Sequence, residues 1–318
     1  MMRSCPSVFL FAMADQPLVG LIGIGLMGQA LATRLLDGGF AVLGFDIDPA
    51  KSAWLAARGG QAAASVAEVA TRANPVVLAV FSTDQVEDVV ERHIFSATAS
   101  GRRPIVLCTS TCDPDAIARL GERCAAQGLP FLEMPVSGTS EQVRRGDGVA
   151  LIGGDPALAE AVAPVLDALF AARHHIGRVG DGGRAKLAVN LILGLNRLAL
   201  AEGLVFAERL GLDPKAFLKV AQGSAAASQV MATKGPKMVA GEFSPEGRVR
   251  QTLKDVHLML DQARQHGQRL PLLEVHEDIL SACVRQGEAD LDNSRVIAEV
   301  RRRRDGLGPG PDGARRKT

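Results

Sequence analysis

Gly23-Ile24-Gly25-Leu26-Met27-Gly28 follows the short apolar run Val19–Ile22 and opens the helix-length stretch Met27–Leu36. The spacing is GxGxxG, and its place between a strand and a helix decides the fold. Gly23 permits a tight turn, Gly25 lets the backbone approach a pyrophosphate, and Gly28 lets the helix pack on the strand. Ile24, Leu26 and Met27 complete the loop, whose free N–H groups and positive helix end suit phosphate. A second strand, Ala41–Phe45, ends at Asp46, 18 residues past Gly28. A carboxylate there hydrogen-bonds the adenosine ribose hydroxyls and repels a 2′-phosphate, which predicts NAD as cofactor and leaves NADP as the second choice. The plainer alternatives are a bare tight turn for the glycines and a strand-end cap for Asp46.

Outward from this loop, short apolar runs alternate with helical stretches. The strands expected are 19–23, 41–45, 76–81, 105–108, 131–134 and 149–152. The helices between them include 27–36, 50–58, 115–127 and 157–170. Gly38-Gly39 stops the first helix, Ser65-x-x-Glu68 is a capping-box start, and Pro114 and Pro156 stand where first-turn prolines are tolerated. Strands alternating with crossover helices give an α/β fold with a doubly wound, Rossmann-type parallel sheet. After Gly180 only helical periodicity continues, through roughly 182–210, 214–222, 227–240, 248–266, 272–286 and 293–303. The expected organisation is an extension at 1–17, a dinucleotide-binding domain at 18–180, an all-α domain at 181–303 joined through its long first helix, and a tail at 304–318.

Composition narrows the function classes. The chain has 318 residues, 47% hydrophobic and 22% charged, with a net charge of +1. That balance, with one Trp and no Tyr, argues against a nucleic-acid surface. Seven basic residues within 301–318 outweigh Asp305 and Asp312, so this end carries +5 and the body −4. The Gly/Pro/Arg-rich stretch from 304 lacks an apolar face and is read as disordered. Five cysteines without a CxxC pair read as reduced thiols in the cytoplasm. Met1–Ala14 imitates a short signal peptide, but Pro6 and the minimal apolar run favour an unstructured extension, with Met13 as an alternative start. The apolar run Leu187–Ala207 could span a bilayer by length, but Asn190, Asn196, Arg197 and Glu202 point instead to a helix buried between protein layers. No His, Cys or carboxylate cluster has metal-ligand spacing, and His174-His175 reads as a loop or strand edge.

Two further constellations carry chemistry. Pro135 leads into Ser137-Gly138-Thr139, a polar turn that offers hydroxyls and N–H groups suited to a carboxylate. The alternative is a loop whose hydroxyls satisfy one another. Gly180-x-Gly182-x-x-x-Lys186-x-x-x-Asn190 places Lys186 and Asn190 one helical turn apart on one face. The apolar neighbours Leu187, Val189, Leu191 and Ile192 imply burial, which lowers a lysine pKa toward a catalytic range. Asn190 would hold a substrate hydroxyl or fix the amine. The alternative is a lysine that snorkels from the helix start.

Taken in order, these motifs resemble the β-hydroxyacid dehydrogenase family, over about residues 18–300. The resemblance also includes Ser110-Thr111-Cys112-Asp113-Pro114, Gly146, Gly153-Gly154 and Lys254-Asp255. It implies that Lys186 is the catalytic lysine, Asn190 its substrate-orienting partner, and Ser137 with Gly138 a carboxylate clamp to which Thr139 contributes. It implies that Thr111 contacts the cofactor, that Lys254 closes over nicotinamide and substrate, and that the helical domain forms a homodimer or homotetramer. The substrate implied is a small β-hydroxy acid or the matching semialdehyde. Three positions depart from the family pattern: Thr139 replaces a second glycine, Val189 the first of two asparagines, and Cys108 a frequent Asp. Two rivals remain, an NADPH-dependent aldehyde or imine reductase of the same fold and a non-catalytic dinucleotide-binding protein. Lys186 weighs against the imine reductase, and Lys186, Asn190 and Ser137 together weigh against the non-catalytic protein.

Overall fold

A computed structural model of the chain describes residues 17–99, 101 and 103–303. The extension at 1–16 and the tail at 304–318 lie outside the described residues. The chain divides into two compact units between Gly183 and Arg184.

Among its described residues the first unit has nine strands: β1 (Val19–Ile22), β2 (Val42–Phe45), β3 (Gln61–Ala62), β4 (Val76–Leu78), β5 (Val106–Cys108), β6 (Phe131–Glu133), β7 (Val136–Ser137), β8 (Val149–Gly153) and β9 (Ala172–Gly177). The order is β3-β2-β1-β4-β5-β6-β8, with β7 and β9 also pairing with β8. The strands from β3 to β6 are parallel, and β8 runs antiparallel to β6 and β7 but parallel to β9. The strands alternate between two cores. Leu21, Val77, Leu107 and Leu132 join Leu31 and Leu35 of helix Leu26–Asp37 in one. Ile22, Leu78, Val106 and Phe131 join Val69, Ile117 and Leu120 in the other. Side chains on successive strand residues point to opposite faces, so a sheet covered on both sides reads as continuous apolar runs.

The helix starts follow the sequence closely. Asp113 and Asp155 cap helices that open with Pro114 and Pro156. Ser65 Oγ accepts the N–H of Glu68, and Gly38 caps the end of the first helix. Two expected helices are each broken in two. Residues 157–170 form Pro156–Ala161 and Ala163–Leu169, and residues 227–240 form Gln229–Thr233 and Gly235–Ala240. Pro164 and Pro236 supply the reason, since each lacks the N–H and clashes with the preceding turn.

The second unit is helical. Its core gathers Leu198, Ala201, Leu204 and Val205 of helix Asp181–Arg209 with Met238, Val249, Val256, Leu273, Ile279 and Val296. The sequence pointed to a largely buried helix between protein layers, but the long helix is only partly buried: Val189, Ile192 and Phe206 are exposed. Its length and hydropathy would suffice for a membrane span. Arg301, Arg302 and Arg303, counted with the basic end in the sequence, are tied into the unit by ion pairs to Glu208, Glu288, Glu299 and Asp278.

Candidate active site

Because β1, β2, β4 and β5 are parallel, the loops that follow them gather at the carboxyl edge of the sheet. Hydrogen bonds tie these loops together. Ser110 Oγ donates to the Val80 carbonyl at 2.7 Å, Asp113 N to Thr83 Oγ1 at 2.9 Å, and Ile24 N to Asp46 Oδ2 at 2.7 Å. Thr111 sits half-buried in the loop after β5.

The three motif glycines are glycine for different reasons. A Cβ on Gly23, whose φ is +91°, would stand 2.6 Å from the Ala79 carbonyl oxygen. One on Gly28 would stand 2.1 Å from the Gly23 carbonyl oxygen. A Cβ on Gly25 would meet nothing within 4 Å. The protein itself thus forbids side chains at Gly23 and Gly28 but leaves the space above Gly25 open. Gly25 also caps helix Leu26–Asp37 with no side-chain hydrogen bond and no acidic residue in the first turn. Open space over backbone N–H groups at a helix start fits a dinucleotide pyrophosphate.

Asp46 does more than its sequence position indicated. Oδ2 holds the Ile24 N–H, and Oδ1 accepts the Asp48 N–H at 2.9 Å and lies 3.3 Å from Lys51 Nζ. It latches the glycine loop to the end of β2, and Lys51 sets a cation beside it. Sequence reading missed Lys51, although Asp46-x-x-x-x-Lys51 runs from the strand end onto the next helix.

Ser137 ends β7, paired with Val149 of β8, and Gly138 has φ +131°. Thr139 is a helix cap: its Oγ1 accepts Gln142 N at 3.2 Å while Gln142 Oε1 accepts Thr139 N at 2.8 Å. Its hydroxyl oxygen is therefore engaged locally, and only its O–H remains as a donor for a ligand. Cys108 is buried and hydrogen-bonded to Cys112, which together with burial pushes its thiol well up.

In the helical unit, Lys186 is 5% exposed. Burial pushes its ammonium down to about 8, with Asp255 favouring the charge and Lys254 opposing it. Asn190 Nδ2 donates to Asp255 Oδ2 at 3.1 Å, and Lys254 Nζ lies 3.1 Å from Asp255 Oδ1. One buried carboxylate thus fixes Asn190, meets Lys254 and faces Lys186. The sequence placed Lys186, Asn190 and Lys254 but gave Asp255 no role, because its contact with Asn190 spans 65 residues. Among the described residues, no group of three His, Cys, Asp or Glu side chains could hold a metal ion.

Residues 18–177 match the family model for the NAD binding domain of 6-phosphogluconate dehydrogenase. Residues 180–300 match the model described as NAD-binding of NADP-dependent 3-hydroxyisobutyrate dehydrogenase. The chain belongs to the β-hydroxyacid dehydrogenases. An L-threonate dehydrogenase of Cupriavidus necator is 32% identical over 88% of this chain and 94% of its own. Glyoxylate/succinic semialdehyde reductase 1 of Arabidopsis thaliana is 29% identical over 89% of this chain and 98% of its own. The crystal structure of 3-hydroxyisobutyrate dehydrogenase from Salmonella typhimurium, 27% identical, has a TM-score of 0.81 and covers 89% of this chain and 99% of that one. This β-hydroxyacid dehydrogenase therefore has the two-part architecture of its relatives, and its family uses NAD(P).

Proposed function

We propose that this β-hydroxyacid dehydrogenase interconverts a small β-hydroxy acid and the matching semialdehyde, with NAD(H) preferred and Lys186 as general acid and base. The observation that carries this reading is the buried Lys186, whose ammonium burial pushes down to about 8, one turn from an Asn190 amide held by Asp255. A nicotinamide dinucleotide, when bound, supplies the hydride acceptor or donor. In oxidation neutral Lys186 takes the proton from the substrate hydroxyl oxygen; in reduction its ammonium returns it. Asn190, oriented by Asp255, holds that same oxygen. Ser137 Oγ and the Gly138 N–H bind the substrate carboxylate, with the Thr139 hydroxyl as an added donor, which fixes the reacting carbon. Screening hydroxy acids and semialdehydes with both cofactors tests the reading. Turnover confined to cyclic imines, or dinucleotide binding without turnover across the panel, would exclude it.

Cofactor choice rests on Asp46 and Lys51. The Asp46 carboxylate opposes a 2′-phosphate, while Lys51 at 3.3 Å offsets part of that repulsion. Asp46→Asn keeps an acceptor for Ile24 N and removes the charge. It is expected to tighten NADPH about tenfold, or 1.4 kcal/mol, with NADH within about twofold. A wild-type enzyme that already prefers NADPH by titration would contradict this assignment.

The exposed Val189, Ile192 and Phe206 on one long helix, with Val220 on the next, suit burial against a second copy of the chain. A homodimer or homotetramer is the expected result of light scattering after size exclusion, and a monomer at micromolar concentration would refute it. The described cysteines, all free and buried, suit the reducing cytoplasm.

A further inference from the structure

Glu133, the last residue of β6, is 2% exposed. Its Oε2 accepts the Gly180 N–H at 2.7 Å. Three glycines from two separate stretches face the same carboxylate. A Cβ on Gly153 would lie 2.8 Å from Oε2, one on Gly182 3.1 Å from Oε2, and one on Gly183 2.5 Å from Oε1. On Gly182 it would also meet the Leu151 carbonyl oxygen at 2.6 Å, so the start of the helix rests directly on β8. A buried carboxylate is costly unless its oxygens are satisfied. A helix start offers free N–H groups and the positive end of a dipole. The glycines of Gly180-x-Gly182-Gly183 are what allow backbone and carboxylate to meet. Lys186 follows Gly183 by three residues, about one turn along the same helix.

We propose that Glu133 is the positioning residue for Lys186: its buried carboxylate clamps the first turn of helix Asp181–Arg209 and sets the register from which the lysine projects. The proposal rests on Lys186 being the acid and base of the reaction.

The test compares Glu133→Gln, Glu133→Asp, Gly183→Ala and Lys186→Met in the full chain with its preferred cofactor, using the best substrate from the screen. All three clamp variants are expected to lose about 10- to 100-fold in kcat, with the dinucleotide Kd and substrate KM near wild type. Wild-type kcat in Glu133→Gln overturns the proposal. So does loss of activity only in proportion to the folded fraction. If Glu133→Gln does not fold, Gly183→Ala and Glu133→Asp decide: wild-type kcat in both refutes the clamp, and a kcat loss at unchanged Kd supports it. An active Lys186→Met enzyme would instead defeat the assignment of the lysine, an outcome distinct from a normal Glu133→Gln beside a dead Lys186→Met.

Discussion

Lys186→Met is expected to be nearly inactive and more stable than wild type. The loss of a positioned acid–base group should lower kcat by about 10²–10⁴-fold, with dinucleotide affinity unchanged because the glycine loop is untouched. The stability change follows from the same burial. The folded lysine holds its proton with a pKa of about 8, against 10.5 ordinarily. The unfolded chain therefore binds more protons between those values, and the folding penalty is full below pH 8 and fades as pH rises toward 10.5. Methionine fills similar space with no charge to desolvate, so the variant should gain up to about 3 kcal/mol at pH 7. The gain should shrink in melts run at pH 10. A variant destabilised at pH 7 would show that the lysine is held by contacts stronger than its burial penalty.

The glycine loop yields the second large effect, as a contrast between two substitutions of one residue type. Gly28→Ala drives a methyl to 2.1 Å from the Gly23 carbonyl oxygen, a backbone atom that cannot swing aside. It should destabilise the sheet unit by about 1–3 kcal/mol or more, as overpacked cores do, and lower melting with or without cofactor. Gly25→Val places its Cβ where nothing lies within 4 Å. It should leave melting near wild type yet weaken dinucleotide binding by at least about 100-fold, the loss of one or two charge-assisted hydrogen bonds. Thermal melting and titration with NADH separate the two. Cofactor binding retained by Gly25→Val would mean that the pyrophosphate does not lie over this loop.

What the sequence disclosed follows the range of the interactions concerned. The glycine loop and Asp46 were legible because strand, turn and helix are consecutive and their spacing is fixed by backbone geometry. Lys186 and Asn190 were legible as a pair because helical periodicity puts residues four apart on one face. Asp255 and Glu133 were not, since each acts on groups 65 and 47 residues away through a fold that local pattern does not encode. Thr139-x-x-Gln142 carries the signature of a helix start, but Thr139 fell within the expected carboxylate-binding turn Ser137-Gly138-Thr139, and the short helix that it caps, Ser140–Arg144, was not expected. β9 escaped a firm assignment because Arg173, His174 and His175 are exposed on a strand that, among the described residues, pairs with β8 alone, so it lacks the apolar alternation of the inner strands. The departures at Pro164 and Pro236 were readable in principle, as both prolines stand inside the periods that they interrupt.

The central claim, that a buried lysine on the helix Asp181–Arg209 moves the proton, is tested most directly by pH profiles of kcat/KM in both directions, for wild type and Lys186→Met. Oxidation needs the neutral amine and should rise with pH to a plateau above about 8; reduction needs the ammonium and should fall over the same range. Both limbs should be missing from the residual activity of the variant. Limbs that persist unchanged in Lys186→Met would contradict the account and assign the proton to another group.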